Sequence, residues 1–371
     1  MNQMLHRYVP LSGSYPHTYF AGANTADGFV SAYPHFIRED ISHRVFIIKG
    51  GSGTGKSSLM KTCARAAEDA GARITLLLCS SDPSSADAVI LQGKNGRRIV
   101  LLDGTAPHMT DPELPGAVSE IIDVGQYWDA DVLAAHREEI ALARREKQNA
   151  YSRAYRYLAA YRQIGDAAGA LLSECILHDK LHAAASRIMA GVPAGQRFRE
   201  EIRYTHALSM HGAYRLNTFA MGAKQTHSVI DAYGTGEFFL EAVRDQAMMR
   251  RLSVYTSPSP ACPHRIRELY LPEQGIRFHL VPDRDAIQEK AQIHYINMHR
   301  FIDRARMADR RARIRFAGKC GEMLFDGALQ ALHHAGEQHF ALEEMYKSAM
   351  DFDGVQRQTQ KLSEYVRKAL Q

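Results

Sequence analysis

The chain has 371 residues, 45% hydrophobic and 23% charged, with a formal net charge of +5. This composition excludes a disordered or fibrous polymer, and the length allows two or three domains with cores of their own. The mild positive charge permits an anionic partner without demanding a nucleic acid. No apolar run of about 18 residues is available to span a membrane. Five scattered cysteines without a CxxC pair, behind an N-terminus that lacks an apolar signal core, point to reduced thiols in the cytoplasm.

The first strong signal is RVFIIKGGSGTGKSSL at residues 44–59. Val45–Ile48 is a β-branched apolar run suited to a buried strand. Gly50 to Ser57 then fits the phosphate-loop pattern G-x-x-x-x-G-K-[ST], and Ser58–Ala70 has helical composition with Gly71 as its stop. The glycines let the backbone curl so that N–H groups point at phosphate oxygens, and the helix that follows adds the positive end of its dipole. The expected phosphate cradle is Gly50, Gly51, Ser52, Gly53, Thr54, Gly55, Lys56, Ser57 and Ser58. Lys56 is the mobile charge for the outer phosphates, and the Ser57 hydroxyl is a magnesium ligand.

Ile74–Pro83 reads as another apolar strand ending in polar residues. There Ser80, Ser81 and Asp82 either touch the ligand or cap a turn. Ile99–Leu102 is a third such strand, and Asp103 at its end is the acid expected beside magnesium. The loop GTAPHMTDPELPGA follows. Gly104 stands where many ATPases carry a water-activating glutamate. His108 is the nearest candidate for orienting a water, with loop packing as its alternative role.

Residues 129–190 read as long helices. Ile140, Tyr151, Tyr155, Leu158, Tyr161 and Ile164 form an apolar stripe, while Arg137, Arg144, Arg145, Lys147, Arg153, Arg156 and Arg162 form a basic face. That face is either a solvated surface over a tyrosine-containing core or a source of contacts to an anion, one arginine reaching the terminal phosphate among them. Cys175, His178 and His182 share i, i+3, i+7 spacing, which fits a packing edge or, with a further ligand, a metal site.

The second half contains an ordered series of echoes. VIDAYGTGEFFL parallels FIIKGGSGTGKSSL, SVYTSPSP parallels LLLCSSDP, HRIRELYL parallels DAVIL, and IRFHLVPD parallels RRIVLLD. RYTHALSMHGAYR weakly echoes TYFAGANTADGFV. The expected organisation is a duplicated α/β phosphate-loop fold with a parallel sheet and helical hairpin extensions. Its parts are an active domain over 1–128, a helical extension over 129–201, a degenerate domain over 202–283 and a helical extension over 284–371. Glu237 replaces the lysine in the second loop, so an anion faces any triphosphate. Two like charges about 4 Å apart repel by roughly 4 kcal/mol at an intermediate dielectric. Phe238 replaces the magnesium-binding serine.

The segments FAGANTADGFV, GGSGTGKSSLM, CSSDP, DGTAPH, DPELPGA and MDF, in that order over nearly the whole chain, resemble those of a functionally uncharacterised bacterial family of tandem P-loop ATPases. The resemblance implies nucleotide binding by Gly53, Gly55, Lys56, Ser57 and Asp103. It supplies no substrate, and Glu237-Phe238 departs from the family's habit of a phosphate loop in each half. The expected function is hydrolysis of a nucleoside triphosphate with magnesium at one site, where Lys56, Asp103 and His108 are the catalytic candidates. No [NT]-K-x-D stretch for reading guanine occurs, which favours ATP. A small-molecule or nucleotide kinase and a non-hydrolysing nucleotide-gated scaffold are the alternatives. A protein partner moved by hydrolysis fits the first reading, and nucleic acid is disfavoured.

Overall fold

The structure, a computed structural model, describes residues 2–231, 233–283 and 292–371. In chain order the first part runs β1 (Tyr8–Leu11), β2 (His17–Phe20), β3 (Gly22–Thr25), β4 (Gly28–Ser31), β5 (Arg44–Lys49), α1 (Lys56–Asp69), β6 (Arg73–Leu78), β7 (Ala86–Gln92), β8 (Arg98–Asp103) and β9 (Ser119–Asp123). Helices α2 (Ala130–Ala135), α3 (Arg137–Ser173) and α4 (His178–Ala190) follow. Then come β10 (Arg199–Ile202), β11 (His206–Ser209), β12 (Gly212–Leu216), α5 (Thr218–Gly222), β13 (Gln225–Ile230), α6 (Gly236–Met249), β14 (Ser253–Pro258), β15 (Ile266–Leu271), β16 (Ile276–Val281) and β17 (Gln292–Asn297). The chain ends with α7 (Arg304–Ser348) and α8 (Phe352–Leu370).

The molecule is mixed α/β. One six-stranded sheet has the order β2-β6-β7-β8-β5-β9 and another the order β10-β14-β15-β16-β13-β17. The central strands β5 and β8 bury the runs Val45–Ile48 and Ile99–Leu102 on both faces, as continuous apolar strands require. The expected parallel sheet is parallel in part: β7 lies antiparallel between β6 and β8. Its connection from β6 is too short for a crossover. Asp82 closes that turn by accepting the Ser84 N–H, and the Cys79 N–H donates to the Ser85 carbonyl.

Every pairing in the second sheet has the same sense as its counterpart in the first. Each sheet carries an irregularity at the same place, between Leu77 and Leu78 and between Ser257 and Pro258. The hairpins β3–β4 and β11–β12 close with the same hydroxyl turn. Thr25 Oγ1 donates to the Gly28 carbonyl and Ser209 Oγ to the Gly212 carbonyl. After each sheet come two side-chain caps, Asp123 then Asp129 and Asn297 then Asp303, each accepting backbone N–H groups.

The helices do not form hairpins on the half they follow, which corrects that expectation. Helix α3, of 37 residues, pairs lengthwise with α7, of 45. Bridges Trp128–Met350 and Ile176–Ile302 at opposite ends make the pair antiparallel. Gly321 and Gly327 of α7 lie against the rings of Tyr161 and Tyr157, where absent side chains allow close approach. Carried across by these helices, α4 packs on α6 and α8 on α1. Leu181, Ala185 and Met189 thus join the core of the second sheet, and Leu362, Val366 and Leu370 that of the first. Tyr8, Leu158, Tyr161, Leu208, Phe325 and Leu332 form a third cluster between them.

The second sheet begins with Arg199, before residue 202, and its last strand, Gln292–Asn297, lies beyond residue 283. Within the helical extension expected over 284–371, the long helix α7 starts at Arg304, and residues 284–291 lie outside the described ones. Among the described residues no helix is long and apolar enough to cross a membrane.

Candidate functional site

The loop between β5 and α1 is curled by left-handed backbone at Gly53 (φ +73°) and Gly55 (φ +86°), the latter being the N-cap of α1. Lys56, the first helical residue, is buried and turns its ammonium back into the curl. Nζ donates to the carbonyls of Gly50 and Gly51 at 2.9 and 2.6 Å and lies 3.5 Å from Asp103 Oδ2. Thr54 Oγ1 braces the loop through the Gly51 carbonyl. Among the described residues, the N–H groups of Ser52, Gly53 and Thr54 take no protein acceptor. Parallel pairing of β5 with β8 sets Ile48 opposite Asp103, which brings the acid to the loop. Asp103 Oδ1 accepts from the backbone and hydroxyl of Thr105, so its other oxygen faces Lys56. Ser57 Oγ accepts the Ala86 N–H at 2.9 Å, while Ser58 continues the exposed face of α1.

The structure thus brings Gly50–Ser57 and Asp103 together. Ser57 and Asp103 supply two hard oxygen donors, a set that fits magnesium, whose remaining positions are ordinarily filled by phosphate and water. His108 is placed otherwise. It is buried, with Nε2 3.1 Å from Asp87 Oδ2 and Nδ1 3.0 Å from Ser31 Oγ, stacked on Tyr33 and edge-on to Phe29. Both ring nitrogens are engaged by protein groups, so His108 ties its loop to β7. Of the polar trio after β6, Asp82 caps its turn, and Ser81 accepts from Tyr151 Oη of α3 at 2.9 Å. Ser80 Oγ is buried without a partner.

Several neighbours carried no local signal in the sequence. Asp87 is the extra residue at the β6–β7 irregularity, buried beside Asp103, and burial raises its carboxyl pKa despite the His108 contact. The end of α7 covers the loop: the Tyr346 ring lies against Gly51 and the Glu343 carbonyl against Gly53. Lys147 of α3 and His339 of α7 meet at the same place, Nζ to Nδ1 at 3.0 Å. Asp87 starts a strand and Lys147 lies on a long basic helix face, so only the tertiary fold distinguishes them from their neighbours.

The equivalent loop of the second half is self-filled. Asp231 occupies the place of Gly50, and its Oδ1 accepts the N–H groups of Tyr233, Gly234 and Thr235 at 3.2, 2.8 and 2.8 Å. A carboxylate therefore sits where the backbone concavity would hold an external anion. Glu237 lies 3.3 Å from Arg265, and burial pushes its carboxyl up to about 7. The cavity left among Asp231, Glu237, Arg265 and Arg267 is about 20 Å³, room for a single water. The sequence pairing of Asp283 with Asp103 is corrected by strand register: Val229 faces Leu280 just as Ile48 faces Asp103, so the second half has leucine at the acid's position.

Cys175, His178 and His182 do not share a helix. Helix α3 ends at Ser173 and α4 starts at His178. Cys175 donates to the Leu171 carbonyl, and His178 Nε2 lies 3.0 Å from the Ser173 carbonyl. Among the described residues no cluster of three or more His, Cys, Asp or Glu side chains suits a metal. No protein-family model, curated protein or solved structure matches the chain.

Proposed function

We propose that this chain binds and hydrolyses a nucleoside triphosphate, ATP by preference, with magnesium at the loop Gly50–Ser57. We further propose that it is a duplicated phosphate-loop protein whose second half is structural. The observation that carries the reading is the contrast between the loops. One has unpaired backbone N–H groups, an inward lysine, a serine hydroxyl and a facing acid. The other has filled its curl with Asp231 and replaced the cation by Glu237.

On this reading, Ser52 to Ser58 supply backbone donors to the phosphates, and Lys56 leaves the loop carbonyls for the outer phosphates. Ser57 and Asp103 hold the magnesium shell, which neutralises charge on those phosphates when bound. The strand-by-strand agreement of the two sheets supports the duplication.

Phosphate release from purified protein with Mg-ATP tests the activity. Phosphate formed without an acceptor supports hydrolysis. ADP formed only when pooled metabolites are added supports a kinase, and binding without turnover supports a nucleotide-gated scaffold.

A further inference from the structure

Lys147 is a cation in an anomalous setting. It lies on the largely exposed α3, yet burial lowers its pKa; Cys79 and Glu343 act against that shift, while Lys56 and Arg144 add to it by repulsion. Among the described residues no carboxylate comes within 4.0 Å of its ammonium. Its protein partner is His339 Nδ1 at 3.0 Å. A lysine donates three hydrogens and accepts none, so the histidine nitrogen facing it must be unprotonated. Burial pushes His339 down to about 4, and its Nε2 faces Glu343 Oε1 at 3.5 Å, which suits the tautomer protonated there. Glu343 in turn lies over Gly53, and one turn along α3 Tyr151 is tied to Ser81 at the end of β6. Lys147 is therefore held where α3, α7, the end of β6 and the curled loop converge. A partly buried ammonium beside a neutral imidazole costs free energy that a nearby anion would offset.

We propose that Lys147 is a second phosphate-binding cation, delivered by α3 to the terminal phosphate of a nucleotide in the loop Gly50–Ser57, with His339 as its positioning residue. The inference rests on the nucleotide reading above and adds the group that tells a triphosphate from a diphosphate. Helix α3 also reaches the second sheet, so this contact ties terminal-phosphate occupancy to the helix pair between the sheets.

Titration calorimetry with Mg-ATP and Mg-ADP on the full chain tests it. Lys147→Met weakens Mg-ATP binding by about tenfold or more, as expected for loss of a charge-assisted hydrogen bond, and changes Mg-ADP binding by less than about twofold. Lys147→Arg keeps part of the preference for ATP, and His339→Gln lowers that preference less than Lys147→Met does. Without nucleotide, Lys147→Met melts no lower than the parent, because it removes a partly buried charge that has no carboxylate at ion-pair distance. Equal losses for both nucleotides, or an unchanged ATP-to-ADP ratio in Lys147→Met, overturn the proposal; if that variant does not fold, the same ratio in Lys147→Gln decides. The parent reading fails differently: Lys56→Ala would then leave both affinities unchanged.

Discussion

At the residue scale, the two loops differ by exchanged charge. Lys56 of the first corresponds to Glu237 of the second. The extra residue at the strand irregularity is Asp87 in one sheet and Arg267 in the other. Each loop thus keeps a local charge balance, but only the first turns a cation, Lys56, into its curl. The cost of the second arrangement appears in Glu237. Burial raises its folded-state pKa to about 7 from an ordinary value of 4.5, so protonation favours the folded state. Its contribution is fully present below about pH 4.5 and is lost as pH rises through about 7. Glu237→Gln removes that dependence. In chemical denaturation the variant gains on the parent between pH 5 and 8 by an amount on the order of 3 kcal/mol. Nucleotide affinity is unchanged. A constant difference across that range would place the ionised carboxylate in a fully compensated ion pair with Arg265.

At the scale of elements, what the sequence reveals follows from how local each cause is. The strand Val45–Ile48, the curl and α1 are adjacent in the chain, and hydrophobic pattern plus glycine placement specify them. Asp103 was legible because an apolar strand ends in it. The antiparallel β7 was not: its direction depends on a short turn capped by Asp82, and DAVIL alone is compatible with either sense. Nor could periodicity show that α3 finds its partner in α7, since an apolar stripe names a buried face without naming its neighbour. That stripe meets Phe325, fully buried against Tyr8 and Tyr161 at ring separations of 6.5 and 5.7 Å. Phe325→Ala should cost about 3–5 kcal/mol in equilibrium unfolding. A loss below about 1 kcal/mol would mean the helix pair contributes little to stability.

Across the whole molecule, each sheet is completed by a helix that arrives from the other half of the chain. The last helix, α8, places Val366 and Leu370 in the core of the first sheet and Val355 against Gly55 of the curled loop. Ending the chain after Ala349 should therefore damage the half most distant in sequence. Hydrogen exchange is expected to accelerate in α1 and β5–β9 while β13–β16 and α6 keep their protection. Loss of protection confined to the second sheet would contradict the crossed packing. The same arrangement explains why His339 and Tyr346 carried no sequence signal near the loop, and why Lys147 was not distinguished from the other cations of its helix face. They lie on crossing helices and reach the loop only through tertiary structure.

The central claim is a single working anion site, and its most direct test is calorimetric titration of the intact chain with Mg-ATP. The account predicts one nucleotide per chain, abolished in Lys56→Ala and retained in Glu237→Gln. No binding by the parent chain, or two equivalent sites per chain, would contradict it.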